Sequence, residues 1–353
     1  MKKRKVYYDF LRILAAFLVI FNHIPGYTLY QISGGGIKTW IYTFITMFTR
    51  INVPIFFMIT GALLLGRDEE IGEIFKKRIS RMVSVLLIFG AVASWVKGFP
   101  DLRFDVARYC NELITGNITV AYWFLYAYIS FLLLLPYIRR VARTFSERDF
   151  LYYVLLRFLI CSLVPIVNYL LFANGQEKIA ITGNLNFCFM VERILFYPVI
   201  GYYLDCKVDL HQMKRKQWVY IALLAVIGIL TESAITIHEG ITTGTYTQAY
   251  VMLFDYVIAI FVFLGVKYLF ECKGFLAKRE KISNMICKVG TLTLGMYVMD
   301  PIWRMLFVAR VNAFLEPYLP TLIVSGIYCV FSMCLSGILT WILKKVPGVK
   351  RIL

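Results

Sequence analysis

Apolar residues form long runs along the chain, and clusters of charged or turn-forming residues separate one run from the next. A helix needs about 20 apolar residues to cross the hydrocarbon core of a bilayer. This pattern predicts an all-α, polytopic membrane bundle with about ten transmembrane helices. The predicted spans are 10–30, 40–65, 82–96, 121–138, 151–172, 187–204, 217–237, 249–270, 289–309 and 319–343.

The lysines and arginines are concentrated in alternate connections between these spans. With a cytoplasmic N-terminus, 26 of the 38 lie in cytoplasmic segments, six in outer connections and six inside spans. Cytoplasmic connections of membrane proteins carry such an excess of positive charge. The distribution predicts that both termini are cytoplasmic. It also explains most of the net charge of +17, including Lys344 and Lys345, as attraction to anionic lipid.

Composition narrows the class of protein further. The 353 residues are 60% hydrophobic and 17% charged, with a mean hydropathy of +0.70, which excludes a soluble globular domain and a disordered chain. Nucleic-acid binding is not expected, because the positive charge forms no continuous basic face. The eight cysteines contain no CxxC pair and predict neither a metal site nor a disulfide framework. We expect a single membrane domain over 1–353, whose first apolar run is a retained helix.

The first span carries ionisable residues, which are costly inside a bilayer and often functional. Arg12 and His23 are 11 residues apart, so they share one face of a helix and lie about 16 Å apart along its axis. Asp9 precedes Arg12 by three residues and is predicted to pair with it. Two interpretations stay open. The stripe lines a path across the membrane, or Arg12 extends to the interface and His23 is a hydrogen-bonded buried histidine.

Further polar residues lie in or beside later spans. In the second span, Pro54 predicts a kink and the small residues Thr60 and Gly61 predict close helix packing. Arg78 and Arg81 either supply ordinary cytoplasmic charge or form a fork that binds phosphate. The remaining candidates are Arg50 and Asn52 in the second span, Trp123 at an outer boundary, the adjacent pair Glu192 and Arg193, and Asp255 as a structural contact.

Asp300 lies in the ninth span at a depth similar to that of His23. A carboxylate and an imidazole at equal depth suit a pair in which the carboxylate orients a general base. An Asp before a Pro is equally common as a local turn or cap residue, so both interpretations stay open.

These residues together resemble the acyltransferase-3 family of integral membrane acyltransferases, which includes bacterial O-acetyltransferases of surface carbohydrates. The resemblance covers essentially the whole chain. It rests on Arg12 and His23, preceded by the Asp of DFLR, on VPIFFMITG after Arg50, and on KKRISR, WFLYAYISFLLLLP and YPVIGYYL. The segment LGMYVMDP is similar to the family's late Tyr-x-x-His-Pro motif, with Asp300 in place of the His. Thr60 stands where the family more often has Ser.

The resemblance implies transfer of an acyl group, with acetyl expected, from cytoplasmic acyl-CoA to a hydroxyl of an outer carbohydrate or cell-envelope acceptor. His23 would be the general base and Asp300 its partner. Arg12, Arg78, Arg81 and Arg50 would bind acyl-CoA, with Arg50 also a candidate for stabilising the oxyanion. Supporting roles would fall to Asp9, Asn52, Thr60, Trp123, Glu192 and Arg193. No bound cofactor is expected, and the implied location is the bacterial cytoplasmic membrane.

Two other classes of function fit the polar residues. A transporter of a small polar solute or acyl intermediate also places polar residues at mid-depth and breaks helices at proline. A structural partner in an envelope-synthesis complex would tolerate the loss of His23. The acceptor, the acyl chain and the oligomeric state do not follow from the sequence.

The orientation leads to a first prediction. A reporter fused after Leu353 should lie in the cytoplasm, and a reporter inserted in the 239–248 connection should lie outside, because the basic segments retain their side of the membrane. Accessibility of each reporter in intact cells measures this. A C-terminus found outside would contradict both the even number of spans and the proposed path.

Overall fold

The computed structural model describes residues 4–24, 36–98, 103–173, 193–244, 252–276 and 279–353, and these residues contain helices but no β-strand. The helices are α1 (Val6–Asn22), α2 (Ile37–Thr49), α3 (Asn52–Leu64), α4 (Ile71–Val96), α5 (Val106–Thr115), α6 (Trp123–Thr144), α7 (Glu147–Phe158), α8 (Val164–Ala173), α9 (Arg193–Cys206), α10 (Arg215–Thr243), α11 (Asp255–Glu271), α12 (Glu280–Gly290), α13 (Thr293–Leu315), α14 (Thr321–Leu343) and α15 (Pro347–Ile352). A π-helical turn at Ile74–Ile79 lies within α4, and another, Leu159–Leu163, joins α7 to α8.

The helices agree with a multi-pass membrane protein, but ten spans are not all established. Within the described residues, six helical segments are long and apolar enough to cross a bilayer, or seven if the bent pair α12 and α13 is one span. Helices α1, α9 and α11 match predicted spans but have only 17, 14 and 17 residues. The start of the predicted span 187–204 lies outside the described residues.

The second predicted span is two helices rather than one continuous helix. α2 ends at Thr49 and α3 begins at Asn52, so the break lies at Arg50 and Ile51. Pro54 lies in the first turn of α3, where a missing N–H costs little. The proline therefore follows the break and does not kink a helix interior. The carbonyl of Arg50 loses its usual i+4 donor, because Pro54 has no N–H.

The described chain divides into two compact units, and each is described separately. The first contains the described residues of 1–26, 68–136 and 279–353, and the second those of 27–67 and 137–278. In the first unit α1 packs against α12, α13 and α14. The described part of the connection 98–119 contains α5, which is amphipathic. The Asp105 side chain caps its start by accepting a hydrogen bond from the Arg108 N–H.

In the second unit α3 and α9 pack with their backbones in direct contact. A β-carbon on Gly61 would overlap the carbonyl oxygen of Pro198, and one on Gly201 would overlap the backbone of Met58. Small residues permit such an approach between membrane helices. The close packing predicted at Gly61 is therefore confirmed.

A buried ion pair joins α7 to α11 in this unit. Arg157 Nη2 lies 3.5 Å from Asp255 Oδ1, and the side chains are 5% and 1% exposed. Glu232 of α10 accepts a hydrogen bond from the N–H of Phe254, the residue before α11. The structural role expected for Asp255 agrees with this geometry. Removing one partner of such a pair leaves an uncompensated charge in an apolar interior.

Cationic side chains cap helix C-termini in the second unit. Arg139 Nε donates to the Leu64 carbonyl at 2.9 Å and Arg143 Nε to that of Leu65 at 3.0 Å, both at the end of α3. Lys267 Nζ donates to the carbonyls of Leu204 and Asp205 at the end of α9. The last carbonyls of a helix have no intrahelical donor. These cationic residues therefore stabilise helix ends as well as contributing to the charge distribution along the chain.

The glycine contacts lead to a second prediction. Gly61→Ala and Gly201→Ala should each lower thermal stability in detergent, because overpacking costs about 1–3 kcal/mol or more. Gly265→Ala on α11 is the matched control, since a β-carbon there meets no atom within 4 Å. Equal melting temperatures for all three variants would contradict the packing of α3 on α9.

Candidate active site

Helix α1 carries two of the predicted site residues in the first unit. Arg12 lies in its second turn, and His23 is the residue at which the helix ends. Both side chains are half-buried. The helix thus separates a cationic end from a histidine end by about 16 Å, as the 11-residue spacing requires.

The carboxylate of Asp9 organises the cationic end. Asp9 is 1% exposed and accepts hydrogen bonds from Arg12 Nη1 at 3.0 Å and from Arg4 Nε at 2.7 Å. The predicted pairing of Asp9 with Arg12 is therefore confirmed. A β-carbon on Gly290 would overlap the Asp9 side chain, so α12 also packs directly on this carboxylate. The hydrogen bond to Asp9 therefore orients the Arg12 side chain.

Arg78 and Arg81 take different partners although they are three residues apart on α4. Arg78 donates through Nε and Nη2 to the two carboxylate oxygens of Glu69. Arg81 donates at 2.8 and 2.7 Å to the backbone oxygens of Ile352 and Leu353. The two guanidinium groups therefore do not act as one fork, and Arg78 already has an acidic partner.

Arg81 lies at the centre of a group of positive charges that we call the cation cluster: Arg12, Arg78, Arg81 and Lys344. Arg81 interacts electrostatically with Arg12 and Arg78, and Lys344 with Arg81. Lys344 Nζ donates to the Thr291 carbonyl at 2.6 Å, where α12 ends and the chain bends by 54° into α13. Burial, followed by the charge of Arg81, lowers the pKa of Lys344 from its ordinary value. Lys344 therefore has a specific backbone partner, and its attraction to anionic lipid stays a prediction.

The cation cluster has more positive than negative charge. Asp9 pairs with Arg12 and Glu69 with Arg78, whereas Arg81 and Lys344 meet no acidic side chain among the described residues. Such an arrangement attracts a ligand with several negative charges, and guanidinium groups suit phosphate in particular.

At the histidine end, α13 contributes polar groups. Arg304 Nη1 donates a 3.0 Å hydrogen bond to the backbone oxygen of His23. Asp300, one turn earlier on α13, is 2% exposed and accepts a 2.8 Å hydrogen bond from Ser332 Oγ of α14. Asp300 and His23 are not hydrogen-bonded to each other in the described part of the chain. The structure therefore connects the two regions through Arg304, and the orienting role of Asp300 stays a prediction.

The other predicted residues are distributed over both units. Trp123 lies in the first unit at the start of α6, 40% exposed. Arg50, Asn52, Thr60 and Arg193 lie in the second unit, where the Thr60 hydroxyl donates to the Phe56 carbonyl and Arg193 interacts electrostatically with Tyr197. Glu192 lies outside the described residues. These positions stay predictions.

Three residues of this region were not singled out from the sequence. Arg304 had a visible signal, since an Asp and an Arg four residues apart inside an apolar run predict an attractive pair. Lys344 resembled its neighbour Lys345, which instead lies over the Trp341 ring at 3.8 Å. Ser332 had no signal, because a serine in an apolar helix is common.

A cation cluster at one end of a helix and a histidine at the other would suit transfer of a group carried by an anionic donor. A family model described as an acyltransferase domain matches residues 5–341, nearly the whole chain. No curated protein and no solved structure matches it. The family assignment gives no support to the transporter alternative. The protein is an acyltransferase for groups other than aminoacyl groups, and the chain belongs to the acyltransferase-3 family.

Proposed function

We propose that this protein transfers an acyl group, most simply acetyl, from cytoplasmic acyl-CoA to a hydroxyl of a carbohydrate or other cell-envelope acceptor outside the membrane. The single observation that carries the proposal is the distribution of charge along α1. The cation cluster lies at one end of this helix and His23 at the other. The proposed location is the bacterial cytoplasmic membrane, with both termini cytoplasmic.

The donor site follows from the chemistry of coenzyme A. Its phosphates are the type of ligand that a half-buried excess of arginine and lysine binds, since charge-assisted hydrogen bonds strengthen away from water. Arg81 and Lys344 are the main candidates, because neither meets an acidic side chain among the described residues. Arg12 extends the site onto α1. Arg78 contributes less, because Glu69 already neutralises it.

In the proposed reaction the acceptor hydroxyl attacks the thioester carbonyl while the neutral imidazole of His23 accepts the hydroxyl proton. The C–O bond forms, and the C–S bond of the tetrahedral intermediate then breaks. The imidazolium returns its proton to the departing thiolate, which leaves as free CoA thiol. The acyl group becomes an ester, and histidine ends neutral, so the enzyme needs no oxidant or bound metal for these atoms to balance.

A prediction for the donor site separates neighbouring lysines. Lys344→Gln should raise the apparent KM for acetyl-CoA about 10- to 100-fold, the loss expected for a charge-assisted hydrogen bond worth about 1.5–3 kcal/mol. Arg81→Gln should do the same. Transfer of label from radiolabelled acetyl-CoA to envelope material in permeabilised membranes measures the KM.

Lys345→Gln is the matched control, because Lys345 is adjacent in sequence but stacks on Trp341. Its KM should stay at the wild-type value. Equal effects of Lys344→Gln and Lys345→Gln would show that these lysines act only through general charge. Thermal unfolding of each variant checks that the fold remains intact, including α15, to which Arg81 is bonded.

A prediction for the base concerns His23. His23→Ala should bind CoA normally but transfer acyl groups about 10²–10⁴-fold more slowly, the usual contribution of a general base. His23→Gln should be nearly as slow, because an amide keeps a hydrogen bond but cannot accept the proton. Equilibrium binding of CoA and the transfer assay separate the two effects.

A structural histidine would give a different result. Gln would then restore most of the transfer rate, since only hydrogen bonding would matter. Substantial transfer by His23→Ala would refute the proposed mechanism.

A further inference from the structure

Arg304 reaches from α13 to the end of α1 on which His23 lies. The N–H of His23 donates to the carbonyl of Ile20 and the N–H of Ile24 to that of Phe21, whereas the carbonyl of His23 lies beyond the regular helical pattern. Arg304 Nη1 supplies a donor to that carbonyl at 3.0 Å. The guanidinium thus fixes the backbone of the residue whose imidazole is the proposed base.

Asp300 in turn constrains Arg304. The two residues are four positions apart on α13, and their opposite charges attract each other. Ser332 holds Asp300 Oδ1 at 2.8 Å, whereas Asp300 Oδ2 is buried with no hydrogen-bond partner in the described part of the chain. Ser332 therefore anchors the carboxylate, the carboxylate attracts the guanidinium, and the guanidinium holds the end of α1.

Other titratable groups face the same region. Tyr328 and Cys329 of α14 interact electrostatically with Asp300, and Cys329 Sγ also donates to the Phe17 carbonyl of α1. Tyr122, before α6, interacts with Asp300 as well and donates to the Val298 carbonyl. Phenols and thiols are ordinarily neutral at neutral pH. Among these described groups, Asp300 and Arg304 are the charged ones.

We propose that Arg304 is a positioning residue for His23 in acyl transfer. The inference rests on the proposed function, in which His23 is the general base. Through its hydrogen bond to the His23 carbonyl, Arg304 fixes the backbone from which the imidazole side chain extends. Its positive charge next to the same residue also disfavours a second positive charge on the imidazole, and a general base must be neutral to accept a proton. Asp300 moderates this effect because its charge is opposite.

The test is the pH profile of the transfer assay in permeabilised membranes with radiolabelled acetyl-CoA. Arg304→Gln should lower the apparent kcat at least about tenfold at an unchanged KM for acetyl-CoA. Its acidic limb should move to higher pH, since imidazolium forms more easily without a cationic neighbour. Asp300→Asn should move the limb to lower pH.

Two variants separate positioning from simple helix capping. Arg304→Lys keeps the charge, so its acidic limb should stay at the wild-type pH and part of the kcat should return. Lys267→Gln removes a comparable C-terminal cap from α9 in the second unit. It should lower thermal stability and leave the limb in place.

An unmoved limb in Arg304→Gln, or a raised KM with normal kcat, would overturn the proposal. If Arg304→Gln does not fold, the double variant Asp300→Asn/Arg304→Gln avoids an unpaired buried carboxylate. It should have a lower kcat and a limb at higher pH than Asp300→Asn alone, and equal values would overturn the proposal. Activity of His23→Ala would instead refute the role of His23 as the general base, on which the inference rests. An inactive His23→Ala with an unmoved limb in Arg304→Gln would refute only the positioning role.

Discussion

The carbonyl oxygens at the C-terminal ends of helices impose the main physical constraint on this fold. The last four carbonyls of a helix have no intrahelical donor, and hydrocarbon supplies none. Arginine and lysine side chains provide donors here, and a positive charge at a helix C-terminus is favourable in itself. Arg304 caps the carbonyl of His23, Arg139 that of Leu64, Lys267 that of Leu204, Lys344 that of Thr291 and Arg81 that of Ile352.

This constraint gives the same cations two tasks. Arg81 and Lys344 hold α15 and the bend after α12, and they also form the part of the cation cluster that no described acidic side chain neutralises. Arg304 caps α1 while interacting with the buried Asp300. The proposed donor site and the proposed base are therefore parts of the packing of the first unit. A substitution that removes function at these positions also removes a helix cap, so every variant needs a stability measurement beside its activity.

Local spacing predicted the features that depend on one helix. The i,i+3 relation paired Asp9 with Arg12, and Gly61 marked a close helix contact. Hydropathy predicted a membrane bundle of about ten spans. Only six or seven segments of the described chain have the length and apolarity of a span.

Partners that are distant in sequence were not predictable in this way. Nothing local distinguishes Lys344, which caps Thr291, from Lys345, which stacks on Trp341. The spacing of Arg78 and Arg81 allowed one phosphate fork or ordinary cytoplasmic charge, whereas the structure gives them separate partners, Glu69 and the backbone of α15. The pattern indicated that Asp300 is buried, but it did not reveal that Ser332 binds it or that Arg304 makes the contact with His23. These contacts depend on tertiary packing, which sets the neighbours of each helix face.

The proposed path of acyl-CoA runs along α1, from the cation cluster to His23. A structure of the protein with bound CoA is the sharpest test of this path. The CoA phosphate oxygens should lie within hydrogen-bond distance of Arg81 and Lys344, and the thiol should extend along α1 toward His23. Phosphates bound away from the cation cluster, or a thiol directed away from His23, would contradict it.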